Sequence, residues 1–388
     1  MPKEVVNEAE LLAAVKEDSI VKLLQRIIQI ETTNPPGNEL DLACWLADYF
    51  AQAGVKAELL AYEGRRANLV ARLQGRGSRP ALIFSAHMDT VPAGEVPWMF
   101  PPFSGTLHEG KVYGRGAADM KSGLAAMAEA ATILARSGVS LSGDLIVAFT
   151  YDETHGLQGA RRLLEGGYLE GVGAVLVGEP SGLDVFIAEK DALWLECRVH
   201  GKTAHSSMPH LGQNAVLEMV RFLGRVEERL DLGTERHPLL DKSSFTVGTI
   251  QGGVAINVIP DACEAELDIR LIPGVNHRKI AQQVQELGEG RVEVEVLDWK
   301  EPVESDPHAE IVSLSLQAVE DVTGQPRSPK GVAYYTDGAV IANGLQIPMV
   351  IIGPGDTGMT HQPNEYVEVS QLVQAVKIYL LIAIRYLT

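Results

Sequence analysis

The chain has 388 residues, 46% of them hydrophobic, which is enough for two or three domains with substantial cores. Its 51 acidic residues outnumber 33 basic ones for a net charge of −18, which argues against nucleic acid or an anionic membrane as the main partner. Cys44, Cys197 and Cys263 are too few and too scattered for a disulfide framework or a CxxC metal knuckle, and they suit a reducing compartment.

The first twenty residues are charged throughout and lack the apolar stretch of a signal peptide. Helical periodicity then covers Glu10 to Glu31 and Glu39 to Ala53, the second run stopping at Gly54, a residue suited to a left-handed C-cap. Asn68 to Leu73, Ala81 to Ala86, Gly143 to Thr150, Gly173 to Val177 and Pro348 to Gly353 are short and almost continuously apolar. Central strands covered on both faces read this way. Helical patterns occupy Met120 to Ser137, closed by Gly138, and Gln371 to Leu387. The alternation predicts an α/β domain with an open mixed sheet flanked by helices.

Residues 184–298 break that rhythm. Strand Val185 to Val199, helix Asn214 to Leu230, strands Ser244 to Gln251 and Ala262 to Leu271, helix His277 to Leu287 and strand Arg291 to Leu297 follow in order. The β-α-β-β-α-β succession predicts an inserted ferredoxin-like α+β domain, so that 1–183 and 299–388 form one domain and 184–298 the other. The most apolar tail, Ile378 to Ile384, is too short by itself to span a bilayer, and a cytoplasmic protein is expected.

Open α/β sheets bind ligands beyond the carboxyl ends of their strands. After Ala81 to Ala86 come His87 and Asp89, which share a face if the chain stays extended. After Gly143 to Thr150 come Asp152, Glu153 and His155; after Gly173 to Val177 comes Glu179. Asp119 stands at the mouth of the helix that starts at Met120, and His361 follows the strand ending at Gly353. Singly, each has an ordinary explanation as a turn, cap or surface residue. Together they offer the imidazole and carboxylate mixture that Zn²⁺, Co²⁺ or Mn²⁺ takes when one position is left open for water. A nucleotide site is the weaker reading. GRGAAD, from Gly114, places Asp119 where the third glycine of GxGxxG would lie, and MKSG lacks the GK pair of a phosphate loop.

With these runs in view, the chain resembles the M20 metallopeptidases, which include acetylornithine deacetylase, succinyl-diaminopimelate desuccinylase, aminoacylase and glutamate carboxypeptidase. The resemblance rests on AHMDTVP (Ala86–Pro92), GRGAADMKSG (Gly114–Gly123), TYDETHG (Thr150–Gly156), GEPSG with Glu179, GKTAHSS with His205, INVIPD with Asn257, DIR with Arg270 and GMTHQPNEYV with His361. It implies a two-metal site in which Asp119 bridges, His87 and Glu179 hold one ion, and His361 with a glutamate holds the other. It further implies that Asp89 orients His87 and that Glu153 is the general base. His205 would stabilise the oxyanion from the partner subunit of a homodimer formed through the small, lid-like domain. Arg270, with Asn257 nearby, would bind the substrate carboxylate. The family usually has a second glutamate after its general base, as a metal ligand; this chain has Thr154 there, and His155 is the alternative donor.

The expected activity is metal-dependent hydrolysis of the amide bond of N-acyl amino acids, with one or two Zn²⁺ per chain, Co²⁺ or Mn²⁺ being alternatives. The runner-up is a dipeptidase or carboxypeptidase acting on short peptides. A noncatalytic ligand-binding relative is the rival from another class, which Thr154 favours and Glu153 disfavours.

Overall fold

The computed structural model describes residues 7–388. Among these the chain separates into two compact domains: a large one up to Ala188 with Val303–Gly331 and Thr336–Thr388, and a small one of Glu189–Pro302 with Val332–Tyr335.

The large domain is built on a nine-stranded mixed sheet. Ala81–His87 lies at its heart, buried at every residue and parallel to Leu145–Thr150 on one side and Val172–Val177 on the other. Met349–Ile351 continues the parallel run beside Val172–Val177, and Ala67–Leu73 and Lys56–Ala61 add antiparallel strands beyond Leu145–Thr150. Burial on both faces explains why these strands are continuously apolar rather than alternating. Because the three central strands run the same way, their carboxyl ends emerge along one edge, each delivering a polar loop.

The alanine-rich helix Lys121–Ser137 packs on the C-terminal helix Val369–Leu387, whose residues Leu372, Val376, Tyr379 and Ile382 are fully buried. That last helix is 19 residues long and apolar enough to cross a membrane, so the shortness of the apolar tail is not what argues against a span. Its position does: it is a core helix, with the Tyr379 hydroxyl donating to the Ile352 carbonyl at 2.6 Å.

Several elements differ from the sequence-based expectation. The first helical run is two helices, Glu8–Ala14 and Glu17–Gln29, because Val15 and Lys16 are extended and Glu17 and Asp18 open a new N-terminus, where acids are favoured. The long strand from Val185 is also two, Phe186–Glu189 and Ala192–His200. At the break the buried Asp191 carboxylate accepts the Leu271 N–H, a side-chain contact that local patterning does not reveal. The small compact unit begins at Glu189, ends its main stretch at Pro302 and takes in Val332–Tyr335. Helices Gln158–Glu165, Glu310–Thr323 and Gly338–Leu345, and a three-stranded sheet of Thr106–His108, Lys111–Tyr113 and Tyr366–Glu368, were not anticipated.

The small domain has a four-stranded antiparallel sheet ordered Ser244–Gly252, Ala262–Arg270, Ala192–His200, Glu293–Lys300, which is the ferredoxin-like order. Burial alternates along Ala262–Arg270, so one face of the sheet is apolar. Met219, Phe222 and Val226 of helix Ala215–Arg229 and Ile280 and Val284 of helix His277–Leu287 share one core with Leu193, Leu195, Cys197, Ala265 and Leu267. Truncating a side chain as central as Phe222 costs about 3–5 kcal/mol in cores of this kind.

Candidate metal centre

His87 ends the central strand and is buried. Its Nδ1 lies 2.8 Å from the main-chain oxygen of Asp89. A carbonyl can only accept, so Nδ1 carries a hydrogen and the Nε2 lone pair is left for another partner. Nε2 faces Asp119 Oδ1 at 3.1 Å, Glu179 Oε1 at 3.4 Å and Glu153 Oε2 at 3.9 Å. Ligand atoms of His87, Asp119 and Glu179 all lie within 4.8 Å of one another.

So many acids around one lone pair require a positive charge between them. Burial lowers the His87 pKa, but Glu179, Asp119 and Asp89 outweigh it and lift the imidazole well above its ordinary value. A proton and a metal ion would compete for the same nitrogen. Burial pushes the Glu179 and Glu153 carboxyls well above their usual range, partly offset by His87. Burial would also raise Asp119, but hydrogen bonds from His361 and His87 hold it below its ordinary value. An N/O donor set without thiolate, in acid excess, fits a divalent cation.

The second oxygen of Asp119 lies 3.3 Å from Nε2 of His361, an exposed residue with φ 63°. The Asp119 carboxylate therefore faces an imidazole on each side. Two loops are pinned to make this possible. Fully buried Glu365 accepts the N–H groups of Ala118 and Asp119 at 2.8 and 3.0 Å and pairs with Arg115 at 2.6 Å. The same guanidinium donates to the main-chain oxygens of His361 and Gln362, so one ion pair positions both sides. Close approach of the strand end to the helix needs Gly123, where a Cβ would lie 1.9 Å from the Gly178 carbonyl oxygen.

Asp89 does not turn its carboxylate squarely onto His87; Oδ1 is 3.6 Å from Nδ1. Oδ1 accepts the Glu153 N–H at 3.1 Å, and Oδ2 accepts the Thr154 hydroxyl at 2.7 Å, the Thr154 N–H at 3.2 Å and the Asn34 amide at 3.0 Å. Asn34 also reaches Asp152, whose φ is 64° and whose carboxylate pairs with Arg66 at 3.1 Å. The turn carrying Glu153 is thus held from beneath. His155 is exposed, with Nδ1 3.2 Å from the Thr154 hydroxyl.

Asp337 is a further buried acid behind the centre. Its Oδ2 accepts the Thr150 hydroxyl, its Oδ1 has no hydrogen-bond partner among the described residues, and burial pushes its carboxyl up to about 6. Fully buried Lys121 donates to the carbonyls of Ile27 and Ile30, ending the helix Glu17–Gln29, and burial pushes its ammonium down to about 7. Asn34, Arg66, Arg115, Lys121, Asp337 and Glu365 were missed by the sequence reading. Glu365 stood inside the quoted GMTHQPNEYV run, but nothing local marks a glutamate as buried.

The other three sequence candidates belong to the small domain. His205 is exposed, and the Ser207 N–H donates to its Nδ1 at 3.2 Å, so the hydrogen of the neutral ring sits on Nε2. Asn257 is exposed, its main-chain oxygen accepting the Ser206 N–H. The Arg270 guanidinium is paired with Asp268, with Nε to Oδ1 and Nη2 to Oδ2 both at 2.9 Å, and lies 5.3 Å from the Tyr335 ring centre. Its Nη1 has no hydrogen-bond partner among the described residues.

Residues 83–385 match the sequence model of peptidase family M20/M25/M40. A Staphylococcus aureus protein described as "probable succinyl-diaminopimelate desuccinylase" is 28% identical, over 97% of this chain and 99% of that protein. An M20 family metallo-carboxypeptidase from Sulfolobus solfataricus superposes with a TM-score of 0.83 at 19% identity, over 95% of this chain and 99% of its own. A dinuclear metal-binding peptidase of the M20 family from Bacillus subtilis does so with 0.73 at 17% identity, over 96% and 98%.

Proposed function

This chain belongs to peptidase family M20/M25/M40 and is a metal-dependent amide hydrolase, and from that premise we propose that it cleaves N-acyl amino acids, in the manner of a deacetylase or desuccinylase. The observation that carries the reading is the trio of buried His87 and Glu179 with half-buried Asp119, and Glu153 beside it. The trio would hold the cation, zinc by preference and cobalt or manganese as alternatives. When bound, a divalent cation supplies Lewis acidity that polarises an amide carbonyl and makes water nucleophilic near neutral pH.

Glu153 takes the water proton on its carboxylate and passes it to the leaving nitrogen, which its raised pKa suits. Asp89 holds His87 in the tautomer that exposes Nε2 and holds the turn that aims Glu153. His205 donates from Nε2 to the oxyanion, and Arg270 offers a fork to the substrate carboxylate, with Asn257 as a further polar contact.

The desuccinylase-like relative supports an acyl amino acid as substrate. The second reading, a dipeptidase or carboxypeptidase, is favoured by the fold likeness to a metallo-carboxypeptidase. We also propose a homodimer through the small domain. Strand Ser244–Gly252 is an open sheet edge, and Leu217, Val220, Val247 and Ile250 expose an apolar face beside it, with Val254 and Ile256 84% and 103% exposed. The three cysteines are free, which supports a cytoplasmic location.

The test is a panel of N-acetyl and N-succinyl amino acids, dipeptides and carboxypeptidase substrates, assayed with added Zn²⁺, Co²⁺ and Mn²⁺. The highest kcat/KM is expected on an N-acyl amino acid. A tenfold advantage for dipeptides would move the assignment to the second reading, and no turnover on any member would favour a noncatalytic relative.

A further inference from the structure

Thr154 is spoken for. A hydroxyl has one hydrogen to give, and that of Thr154 goes to Asp89 Oδ2 at 2.7 Å, while its oxygen accepts from the Asn34 amide at 3.1 Å. The Thr154 main-chain N–H goes to the same Asp89 oxygen. On the Oδ1 side of Asp119, His87 and Glu179 complete a three-donor group; on the Oδ2 side stands His361 alone. His155, exposed on the turn, is engaged with the Thr154 hydroxyl and belongs to no group of three donors among the described residues.

We propose that Thr154 is a positioning residue that clasps Asp89 and not a metal ligand, and that the centre of this chain therefore takes one divalent cation, on the Asp119 Oδ1 side. The proposal rests on His87, Asp119 and Glu179 being the ligands. It separates this chain from the Bacillus subtilis relative described as dinuclear. The clasp has a purpose in the turn: Asp89 receives the N–H groups of both Glu153 and Thr154, so the hydroxyl that fixes Asp89 also fixes the general base. A neutral oxygen already donating its hydrogen to a carboxylate is a poor ligand for a hard cation, which is better served by ionised oxygen or imidazole.

The test is calorimetric titration of the chelator-stripped full chain with Zn²⁺ and with Co²⁺, with metal content measured after dialysis. One tight equivalent per chain is expected for the parent. Thr154→Val should keep that stoichiometry but bind about 10–100-fold more weakly, as supporting partners of a ligand generally do when lost. Thr154→Ser keeps the hydroxyl and should stay within about threefold of the parent, the spread expected of context-dependent contacts. Two equivalents within tenfold of each other in the parent, one of them lost in Thr154→Val, would overturn the proposal while leaving the hydrolase reading intact. So would equal affinity for parent and Thr154→Val. Tight binding that survives His87→Ala would instead remove the ligand reading on which the proposal stands.

Discussion

His87 and His205 each have one ring nitrogen held by a main-chain group, and the two arrangements are opposite. At His87 a carbonyl oxygen takes the Nδ1 hydrogen and leaves a lone pair on Nε2, buried and facing three carboxylates. At His205 an N–H donates to Nδ1 and leaves the hydrogen on Nε2, exposed on the small domain. A single backbone contact thus sets which ring nitrogen of each imidazole carries the hydrogen. The surroundings differ too. The large-domain centre is fixed by side-chain bonds of Asp89, Glu365, Arg115 and Asn34, whereas the His205 segment is held mainly by main-chain bonds, the Ser206 N–H to the Asn257 oxygen and the Ile259 N–H to the Ala204 oxygen among them.

The contrast is sharpest if the chemistry is removed while the binding is kept. Glu153→Ala should lower kcat by about 10²- to 10⁴-fold with metal content unchanged, because the residue is placed as a base and not as a ligand. Activity within tenfold of the parent, measured with metal content on the same sample, would break the assignment. His205→Ala should cost about 10²- to 10³-fold in kcat, the usual effect of losing one oxyanion donor, again with metal retained. If His205 acts across a dimer, mixing the Glu153→Ala and His205→Ala proteins should restore part of the activity once subunits exchange. Confirmed exchange without recovery would place His205 in its own subunit or outside the reaction.

How much of this could be read beforehand follows the range of the interactions. His87, Asp119, Glu153 and Glu179 stand at or just past strand or helix ends, and the periodicity that marks those ends is local; His361 lies further on, in a turn beyond strand Met349–Ile351. The ferredoxin-like order was equally local, because each of its elements carries its own apolar pattern. Asn34, Arg66, Arg115, Glu365 and Asp337 were not legible: each acts through a partner far along the chain, as Arg115 does with Glu365 at 2.6 Å. Their neighbourhoods look like turns or exposed charge. Thr154 was visible only as a gap in a pattern, and its bond to Asp89 gives the gap a content.

The smallest expected effect lies at Asp191 of the small domain. Asp191 is buried at the strand break and accepts the Leu271 N–H; burial pushes its carboxyl up to about 7. Its folded value lies above its unfolded one of about 4, so the folded state holds the extra proton between those limits. Its contribution to stability is present below about pH 4 and is lost as the pH rises through about 7. Asp191→Asn should flatten that slope and raise Tm by about 2–4 °C above pH 7, read by calorimetry across the range. A slope unchanged from the parent would locate the pH dependence elsewhere.

The most direct measurement of the central claim is anomalous diffraction at the zinc edge from crystals of the zinc-loaded protein. The expected result is a peak within bonding distance of His87 Nε2 and of carboxylate oxygens from Asp119 and Glu179. Zinc bound tightly in solution but peaking only away from these three residues would contradict it.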